Sequence, residues 1–289
     1  MRIGIRVLCL EQGLLITDVV PDSGADQAGL KPGEYLVRVG DQPLYGEAQQ
    51  QNMELIQGET DTMAELTVLA EDGSQRRVSV LRGIWFDPPV RSRMLEERTG
   101  YVRLFNFHTG SADALQAAVD SLVEQGAEKL IFDVRQNGGG YVKELTQMLD
   151  YLLPEGTVFQ QSTDWGWSYR EKSDAACIDL PMTVLMDGGS YSCAELFAAQ
   201  LKESAGALLV GEHTVGKGYF QYYFPVLNGG RLGLSIGRYT TGAGVWLAKT
   251  GLEPDIEISL SQEELTYFKA RWLAAEEDPQ LQAALRGEE

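Results

Sequence analysis

Hydrophobic and polar residues alternate in short runs along the first 83 residues, and these runs predict β-strands separated by turns. Residues 3–10 and 14–20 are rich in aliphatic residues, and the Glu-Gln-Gly sequence between them is typical of a turn. Residues 64–69 and 77–81 alternate around Glu-Asp-Gly, which predicts a hairpin. The pattern therefore predicts a small β-barrel module. Its remaining elements are a strand at 35–39 and two helices, one near 22–29 and one at 47–57.

From Tyr101 onward the pattern changes to strands that alternate with helices. Apolar residues recur at helical spacing after Ser111 and again from Val142. Repeated strand–helix units predict a sheet buried by helices, with ligands bound at the carboxyl ends of the strands. The predicted strands are followed by loops rich in Gly or Ser, and they lie at 129–134, 182–186 and 207–210.

These changes of pattern divide the chain into three predicted parts. Residues 1–83 are the β-barrel module, and residues 84–100, with two adjacent prolines and a charged run, are a connector. Residues 101–289 are an α/β core, on which residues 262–285 predict an acidic surface helix. The predicted fold class is thus an α+β module followed by an α/β core.

Composition excludes several classes of function. The 289 residues carry 42 Asp and Glu against 24 Lys and Arg, a net charge of -18, which disfavours nucleic acid and anionic lipid as partners. Three scattered cysteines without a CxxC pair, and two histidines, predict neither a disulfide framework nor a metal site. The chain opens without the pattern of a signal peptide, which favours either a cytoplasmic protein or a trimmed form of an exported one.

Two polar residues in the glycine-rich loops are candidates for chemistry. Ser192 stands at the predicted start of a helix, where a hydroxyl either caps the helix or acts as a nucleophile, because the helix amides stabilise negative charge. Lys217 lies between two glycines and is either a surface lysine or, if buried, a base. The glycines at 138–140 would let a backbone amide approach a substrate.

Other interpretations of the same loops are weaker. Residues 211–217 fit GxxxxGK, but Gly218 follows instead of Ser or Thr, and residues 219–226 are strand-like rather than helical. A nucleotide-dependent enzyme is therefore disfavoured. His213 is a candidate triad histidine and Cys193 a candidate thiol nucleophile, and a structural role is the simpler expectation for both.

Five segments carry motifs in a fixed order, and together they resemble those of the carboxyl-terminal processing (tail-specific) proteases, the S41 serine peptidases with an embedded PDZ domain. The resemblance covers nearly the whole chain and implies a PDZ-like module followed by a ClpP/crotonase-like α/β peptidase core. The segments are DSGADQAGLKPGE at 22–34, KLIFDVRQNGGG at 129–140, SYSCAEL at 190–196, VGEHTVGKGYFQ at 210–221 and GLEPDI at 251–256.

The resemblance implies a role for each matching residue. Ser192 would be the nucleophile, Lys217 the general base and Gln221 the group that orients the lysine amine. The backbone N–H groups of Gly139 and Cys193 would form the oxyanion hole. Because a free lysine is charged at neutral pH, this chemistry requires a buried amine without a carboxylate partner. No metal or nucleotide cofactor is implied.

The chain departs from the family's motifs beside the implied nucleophile. Gly138 stands where the motif has proline, and Tyr191 and Cys193 stand where it has small alanines. Ala194 replaces the last serine of its motif. None of these changes removes Ser192 or Lys217, and we expect them to affect the shape of the substrate pocket.

The PDZ-like module implies a second site, for the C-terminus of a substrate. Such modules bind an extended peptide as an added strand and hold its carboxylate on backbone amides. The matching residues are Ile3, Gly4 and Ile5.

The resemblance therefore implies an endopeptidase that acts on proteins or peptides with free C-termini, located outside the cytoplasm. It sets no oligomeric state. The alternative is a relative that binds C-termini without cutting them.

Overall fold

The structure, a computed structural model, divides the chain into two compact units. The first joins Met1–Pro88 to Leu260–Asp278, and the second joins Pro89–Ser259 to Pro279–Glu289. Within the part of the chain that the structure describes, no helix is both long and apolar enough to cross a membrane. The structure describes residues 3–44, 49–227, 229–271 and 273–287.

One antiparallel sheet forms the first unit. Its elements are β1 (Ile5–Leu10), β2 (Gly13–Val19), α1 (Gly24–Gln27), β3 (Tyr35–Val39), β4 (Gln42–Pro43), α2 (Gln49–Ile56), β5 (Met63–Leu69) and β6 (Gln75–Leu81). The strands follow the order β1-β2-β3-β5-β6, with β4 paired to β3. In the described residues β1 and β6 are therefore the two ends of an open sheet, rather than neighbours in the closed barrel that the sequence predicts. Residues 47 and 48 of the predicted second helix lie outside the described residues.

Strands and helices of the second unit alternate as predicted over residues 99–152, whereas strands follow one another without a helix over residues 156–186 and 208–257. Its elements are β7 (Val90–Leu95), β8 (Thr99–Leu104), α3 (Ser111–Glu124), β9 (Lys129–Asp133), α4 (Val142–Leu152), β10 (Gly156–Ser162), β11 (Ser168–Ser173), β12 (Met182–Met186), α5 (Cys193–Ala205), β13 (Leu208–Gly211), β14 (Tyr219–Pro225), β15 (Arg231–Thr240) and β16 (Ile256–Glu257). The main sheet follows the order β16-β13-β12-β9-β8-β7. Its strands are parallel except β7, so their carboxyl ends meet at one edge.

The predicted connector, residues 84–100, differs from what the structure shows. It contains β7, which pairs with β8 and completes the main sheet, so the division between the units falls after Pro88. Arg91 and Arg93 lie on this strand, and the charged run that indicated a linker is part of an edge strand. Edge strands tolerate charge because one side faces water.

The prediction of one acidic helix over 262–285 is wrong. Two helices occupy this region, α6 (Gln262–Lys269) and α7 (Pro279–Arg286). Pro279 lacks an N–H and cannot continue a helix, but it fits the first turn of a new one. The helices also belong to different units, because α6 joins the first unit and α7 the second.

Arg271 connects the C-terminal segment of the first unit to β2 and to the segment that follows β6. Its Nη1 lies 2.6 Å from Asp18 Oδ2 and its Nη2 lies 2.7 Å from Asp87 Oδ2. The Arg271 side chain is only 9% exposed. Charge pairs that are this well covered are screened less by salt than surface pairs.

The second unit also contains a separate four-stranded antiparallel sheet, in the order β11-β10-β15-β14. Only residues 238–240 of β15 pair with β10, while β14 pairs along the length of β15. The outer part of this hairpin exposes apolar side chains, namely Tyr222, Tyr223, Phe224, Leu232 and Leu234.

Candidate active site

Three loops meet at the carboxyl ends of β9, β12 and β13. Hydrogen bonds hold them together: Ser190 Oγ donates to Val134 O at 2.8 Å, and the Tyr191 N–H donates to Asn137 O at 3.1 Å. The Val215 N–H of the third loop donates to Ser190 O at 3.3 Å. The sequence predicts this meeting point, because the carboxyl ends of parallel strands share one edge.

Ser192 occupies a strained position at the start of α5. It is the N-cap residue, with φ 63° and ψ −121°. A positive φ in a residue with a side chain costs free energy and persists only where neighbouring contacts hold it. Its N–H donates to Glu195 Oε2 at 2.8 Å. The strain and the helix start are features of a nucleophile position as well as of a cap.

Glu195 links the serine to the lysine loop, and the sequence analysis missed it. Its side chain is fully buried. Oε1 accepts hydrogen bonds from Thr214 Oγ1 at 2.5 Å and the Gly216 N–H at 2.6 Å. Oε2 accepts from the Lys217 N–H at 2.9 Å as well as from Ser192. The Ser-x-x-Glu spacing of a capping box was the signal that could have identified this residue.

Lys217 is partly exposed rather than buried. Its Nζ lies 5.6 Å from the centre of the Tyr191 ring, and its carbonyl oxygen accepts the Tyr239 hydroxyl. Burial raises the pKa of Tyr239, which keeps that hydroxyl protonated as a donor. Among the described residues, no hydrogen bond joins the Ser192 hydroxyl directly to the Lys217 amine.

Gly139 lies against Ser192, but its amide is engaged. A Cβ on this glycine, whose φ is 80°, would lie 2.8 Å from Cys193 N and 2.9 Å from Ser192 Cβ. Its N–H donates to Asn137 Oδ1 at 2.8 Å, and Asn137 Nδ2 donates to Leu104 O at 2.7 Å. The structure therefore brings both predicted oxyanion-hole residues together, with the Gly139 donor turned to a side chain.

Cys193 is buried beside the same loop. Its thiol lies 3.4 Å from Gly140 O, and burial raises its pKa to about 11. Because the thiolate is the nucleophilic form, a raised pKa disfavours thiol catalysis.

Gln221 does not reach Lys217 in this structure. Its exposed amide donates to Tyr219 O at 3.5 Å and to Ser235 Oγ at 3.4 Å. The predicted bond from Gln221 to the lysine amine is not among the hydrogen bonds of the described residues, and the role stays a prediction.

His213 and the phosphate-loop interpretation of the GxxxxGK sequence gain no support from the contacts of the described residues. His213 Nε2 lies 2.6 Å from Thr250 O. The residues after Lys217 form β14, so the helix start that a phosphate-binding loop needs is a strand here.

A buried ion pair supports the loop after β9. Asp133 and Arg135 have fully buried side chains, with Arg135 Nη2 2.6 Å from Asp133 Oδ2. The Tyr101 hydroxyl donates to the same oxygen at 2.6 Å. Burial by itself would raise the pKa of Asp133, but the charge and hydrogen bonds of Arg135 outweigh it and hold the pKa below its usual value.

The three predicted peptide-binding residues lie at the start of β1 in the first unit. Ile3 and Ile5 are buried, and Gly4 between them has φ 86°. Ile3 O accepts the Ala25 N–H at 2.9 Å, and Gly4 O accepts the Val20 N–H at 2.8 Å.

No group of three or more His, Cys, Asp or Glu side chains that could hold a metal ion occurs anywhere in the described ranges.

Comparison with protein families finds one match over most of the second unit. The family described as Peptidase family S41 matches residues 98–258. The carboxy-terminal processing protease CtpA of Bacillus subtilis is 28% identical over 271 residues, which are 93% of this chain and 58% of that protein. The chloroplastic C-terminal processing peptidase of Tetradesmus obliquus is 28% identical over 265 residues, 85% of this chain and 56% of that protein. The chain thus spans somewhat more than half the length of these relatives.

Two solved structures share the fold. A photosystem II D1 C-terminal processing protease is 27% identical with a TM-score of 0.56, covering 89% of this chain and 72% of that one. A putative S41 protease from Bacteroides fragilis is 19% identical with a TM-score of 0.73, covering 99% of this chain and 82% of that one. These likenesses agree with the α/β peptidase core that the sequence predicts.

Proposed function

Since the chain belongs to peptidase family S41, we propose that it is a serine endopeptidase that cleaves polypeptides near their C-termini, with Ser192 as nucleophile and Lys217 as general base. One observation supports this assignment above the others. The buried carboxylate of Glu195 accepts the N–H groups of both Ser192 and Lys217, at 2.8 and 2.9 Å. A single group thus fixes the backbone of both residues, 25 positions apart (217 − 192), across two loops.

The proposed reaction follows the chemistry of a serine acyl-enzyme. Once bound substrate covers the partly exposed Lys217 amine and the amine is uncharged, it takes the Ser192 proton as the serine oxygen attacks the scissile carbonyl carbon. The carbonyl oxygen becomes an oxyanion, held by the Cys193 N–H and by an amide of the glycine loop. Lys217 then gives its proton to the leaving amine, and the acyl-enzyme forms. The same lysine then takes a proton from water, whose oxygen attacks the acyl carbon. The ester bond to Ser192 breaks, the serine oxygen takes the proton back from Lys217, and the new C-terminus leaves.

Substrate must rearrange two contacts for this reaction to run. The Ser192 hydroxyl must meet the Lys217 amine, and the Gly139 N–H must leave Asn137 or be replaced by another amide of its loop. Active-site contacts of this kind often tighten only when substrate is bound. Gln221 would then turn from Ser235 towards the amine.

Mass spectrometry of the products from an unfolded test protein examines the proposal. We expect the wild type to release fragments and both Ser192→Ala and Lys217→Ala to release none. Lys172→Ala is the matched control, because Lys172 is an exposed lysine on β11. Cleavage at the wild-type rate by either active-site variant would refute the assignment.

The second candidate function is a scaffold that binds C-termini without cutting. The engaged Gly139 N–H favours it, because a resting site in which one of the two proposed oxyanion donors is occupied is what an inactive relative would have. A fluorophosphonate, which labels only an activated serine, separates the two. Labelling of Ser192 that increases when peptide is added supports the peptidase, and no labelling under either condition supports the scaffold.

We also propose that the first unit is PDZ-like and binds the substrate's C-terminus. β1 is an end strand of its sheet, so an extended peptide can add to it by backbone hydrogen bonds. The amides of Ile3, Gly4 and Ile5 would receive the carboxylate at the start of that strand. Fluorescent peptides that differ only in a free or an amidated C-terminus test this on the Ser192→Ala protein. We expect at least tenfold weaker binding of the amide, and equal binding would refute carboxylate recognition.

A location outside the cytoplasm stays a prediction, and fractionation of the producing cells would test it.

A further inference from the structure

Tyr191 spans the space between the two loops that carry the proposed catalytic groups. It precedes Ser192 directly, and its N–H donates to Asn137 O at 3.1 Å. Its side chain is 37% exposed, so the ring lies at the surface of the cleft rather than in the core. Its position in the chain fixes one end of the ring beside the nucleophile.

The hydroxyl end of the same ring fills the space beside Gly138. A Cβ on Gly138 would lie 2.5 Å from Tyr191 Oη and 2.8 Å from Cζ. The φ of Gly138 is not among the positive values of the described glycines, so the backbone there suits residues with a side chain. The lack of a side chain at position 138 therefore makes room for the Tyr191 ring, and the backbone of the turn does not require it.

The face of the ring is turned to Lys217. The distance of 5.6 Å from Nζ to the ring centre is within the range in which an aromatic face attracts a cation. An aromatic face stabilises a cation that lies over it, and an ammonium group must lose its proton before it can act as a base.

We propose that Tyr191 is a positioning residue that holds the ammonium group of Lys217 in the resting enzyme, and that Gly138 is the complementary change that makes room for its ring. The inference rests on the proposed role of Lys217 as the base. It gives a shared cause to the two departures from the family's motif, glycine for proline at 138 and tyrosine for alanine at 191.

Other groups around Lys217 set the background for a test by pH. Cys193 and Glu195 lie at the start of α5, and Glu195 accepts the Lys217 N–H. On β15, Tyr239 donates to the Lys217 carbonyl, next to Arg238. None of these groups changes in a Tyr191 variant, so a change in the pH profile of such a variant is caused by the change in the ring at position 191.

The rate at which a fluorophosphonate labels Ser192 tests the proposal without a peptide substrate. The rate is measured from about pH 5 to about pH 10, a range that includes the operating pH of a general base. Tyr191→Leu keeps the apolar bulk but removes the aromatic face, so the charged lysine loses a stabilising contact. We expect the acid limb of the profile to move to lower pH by about half a unit. Tyr191→Phe keeps the face and should leave the limb in place. An unmoved limb in Tyr191→Leu, a limb that moves to higher pH, or an equal shift in Tyr191→Phe would each overturn the proposal.

Gly138→Ala tests the complementary half. Its methyl group displaces the tyrosine hydroxyl, so we expect a shift like that of Tyr191→Leu in the wild-type background and no further shift in the Tyr191→Leu background. Equal shifts in both backgrounds would overturn the pairing. The proposed function fails separately: if Lys217→Ala labels as fast as the wild type, the base assignment is wrong, whereas loss of labelling in Lys217→Ala with an unmoved Tyr191→Leu profile refutes only the present inference.

Discussion

Replacing Glu195 by glutamine tests the contact on which the site geometry depends. The carboxylate accepts four hydrogen bonds, two on each oxygen. Glutamine has one acceptor oxygen, and its NH2 group would face two N–H or O–H donors whichever way the amide turns. Either orientation leaves two buried donors without an acceptor: the amides of Ser192 and Lys217, or the Thr214 hydroxyl and the Gly216 amide.

The size of the effect follows from these contacts. A hydrogen bond to a charged group contributes about 1.5–3 kcal/mol, so losing two costs about 3–6 kcal/mol of stability. For a domain of this size, 1 kcal/mol corresponds to about 2–4 °C in Tm, and we expect a fall of at least about 6 °C. Because the loops that carry the proposed nucleophile and base both shift, kcat should also fall by at least about tenfold.

Differential scanning fluorimetry and peptide cleavage measure the two effects. Glu203→Gln is the matched control, because Glu203 lies on the same helix, is exposed and accepts one backbone N–H, from Ala243. The control should keep its Tm within about 1 °C, as exposed substitutions usually do. A Glu195→Gln protein with the Tm and kcat of the wild type would refute the argument that this carboxylate holds the site together.

Four further predictions follow from described contacts. Arg135→Met leaves the Asp133 carboxylate buried without its ion-pair partner, and chemical denaturation should show a loss of about 3–5 kcal/mol. Arg135 lowers the pKa of Asp133 in the folded protein, so the stability that ionised Asp133 contributes is complete above the unfolded pKa of about 3.9 and is lost as the pH falls below it. In urea titrations at several pH values, Asp133→Asn should therefore reduce the loss of unfolding free energy at acid pH. Gly139→Ala places a methyl group 2.8 Å from Cys193 N, so activity should disappear while the Tm of the first unit is kept. Iodoacetamide at about pH 8, roughly half a unit below the pKa of a free thiol, should modify exposed Cys177 and leave Cys193 unmodified until the protein unfolds, as tryptic mapping would show.

The sequence predicts the meeting of the three loops but not the direction of the groups in them. Strand order and the glycine-rich junctions place Ser192, Lys217 and Gly139 at one edge, because that placement depends on backbone topology alone. Whether the Gly139 amide faces a substrate or Asn137, and whether the Gln221 amide faces Lys217 or Ser235, depends on side-chain rotamers that no periodicity encodes. Glu195 was overlooked for a related reason, since an acidic residue in the first turn of a helix is usually a solvated cap.

The C-terminal region shows a different limit. The spacing of apolar residues over 262–285 fits one helix, and only Pro279 contradicts it. Which unit each half joins depends on contacts hundreds of positions apart, such as Arg271 with Asp18, and no local pattern contains that information.

The pairing of Arg271 with Asp18 and Asp87 has a consequence for how the protein is made. The ribosome releases residues 1–88 early, yet the arginine that joins those two carboxylates arrives only after the whole of β7 to β16 has emerged. When the chain has emerged as far as residue 270, the first unit still lacks Arg271 and the rest of its C-terminal segment, whereas the second unit lacks only the segment that contains α7. A nascent chain stalled before residue 271 contains all of the loops that carry Ser192, Lys217 and Gly139, whereas its first unit still lacks the arginine that bridges Asp18 and Asp87.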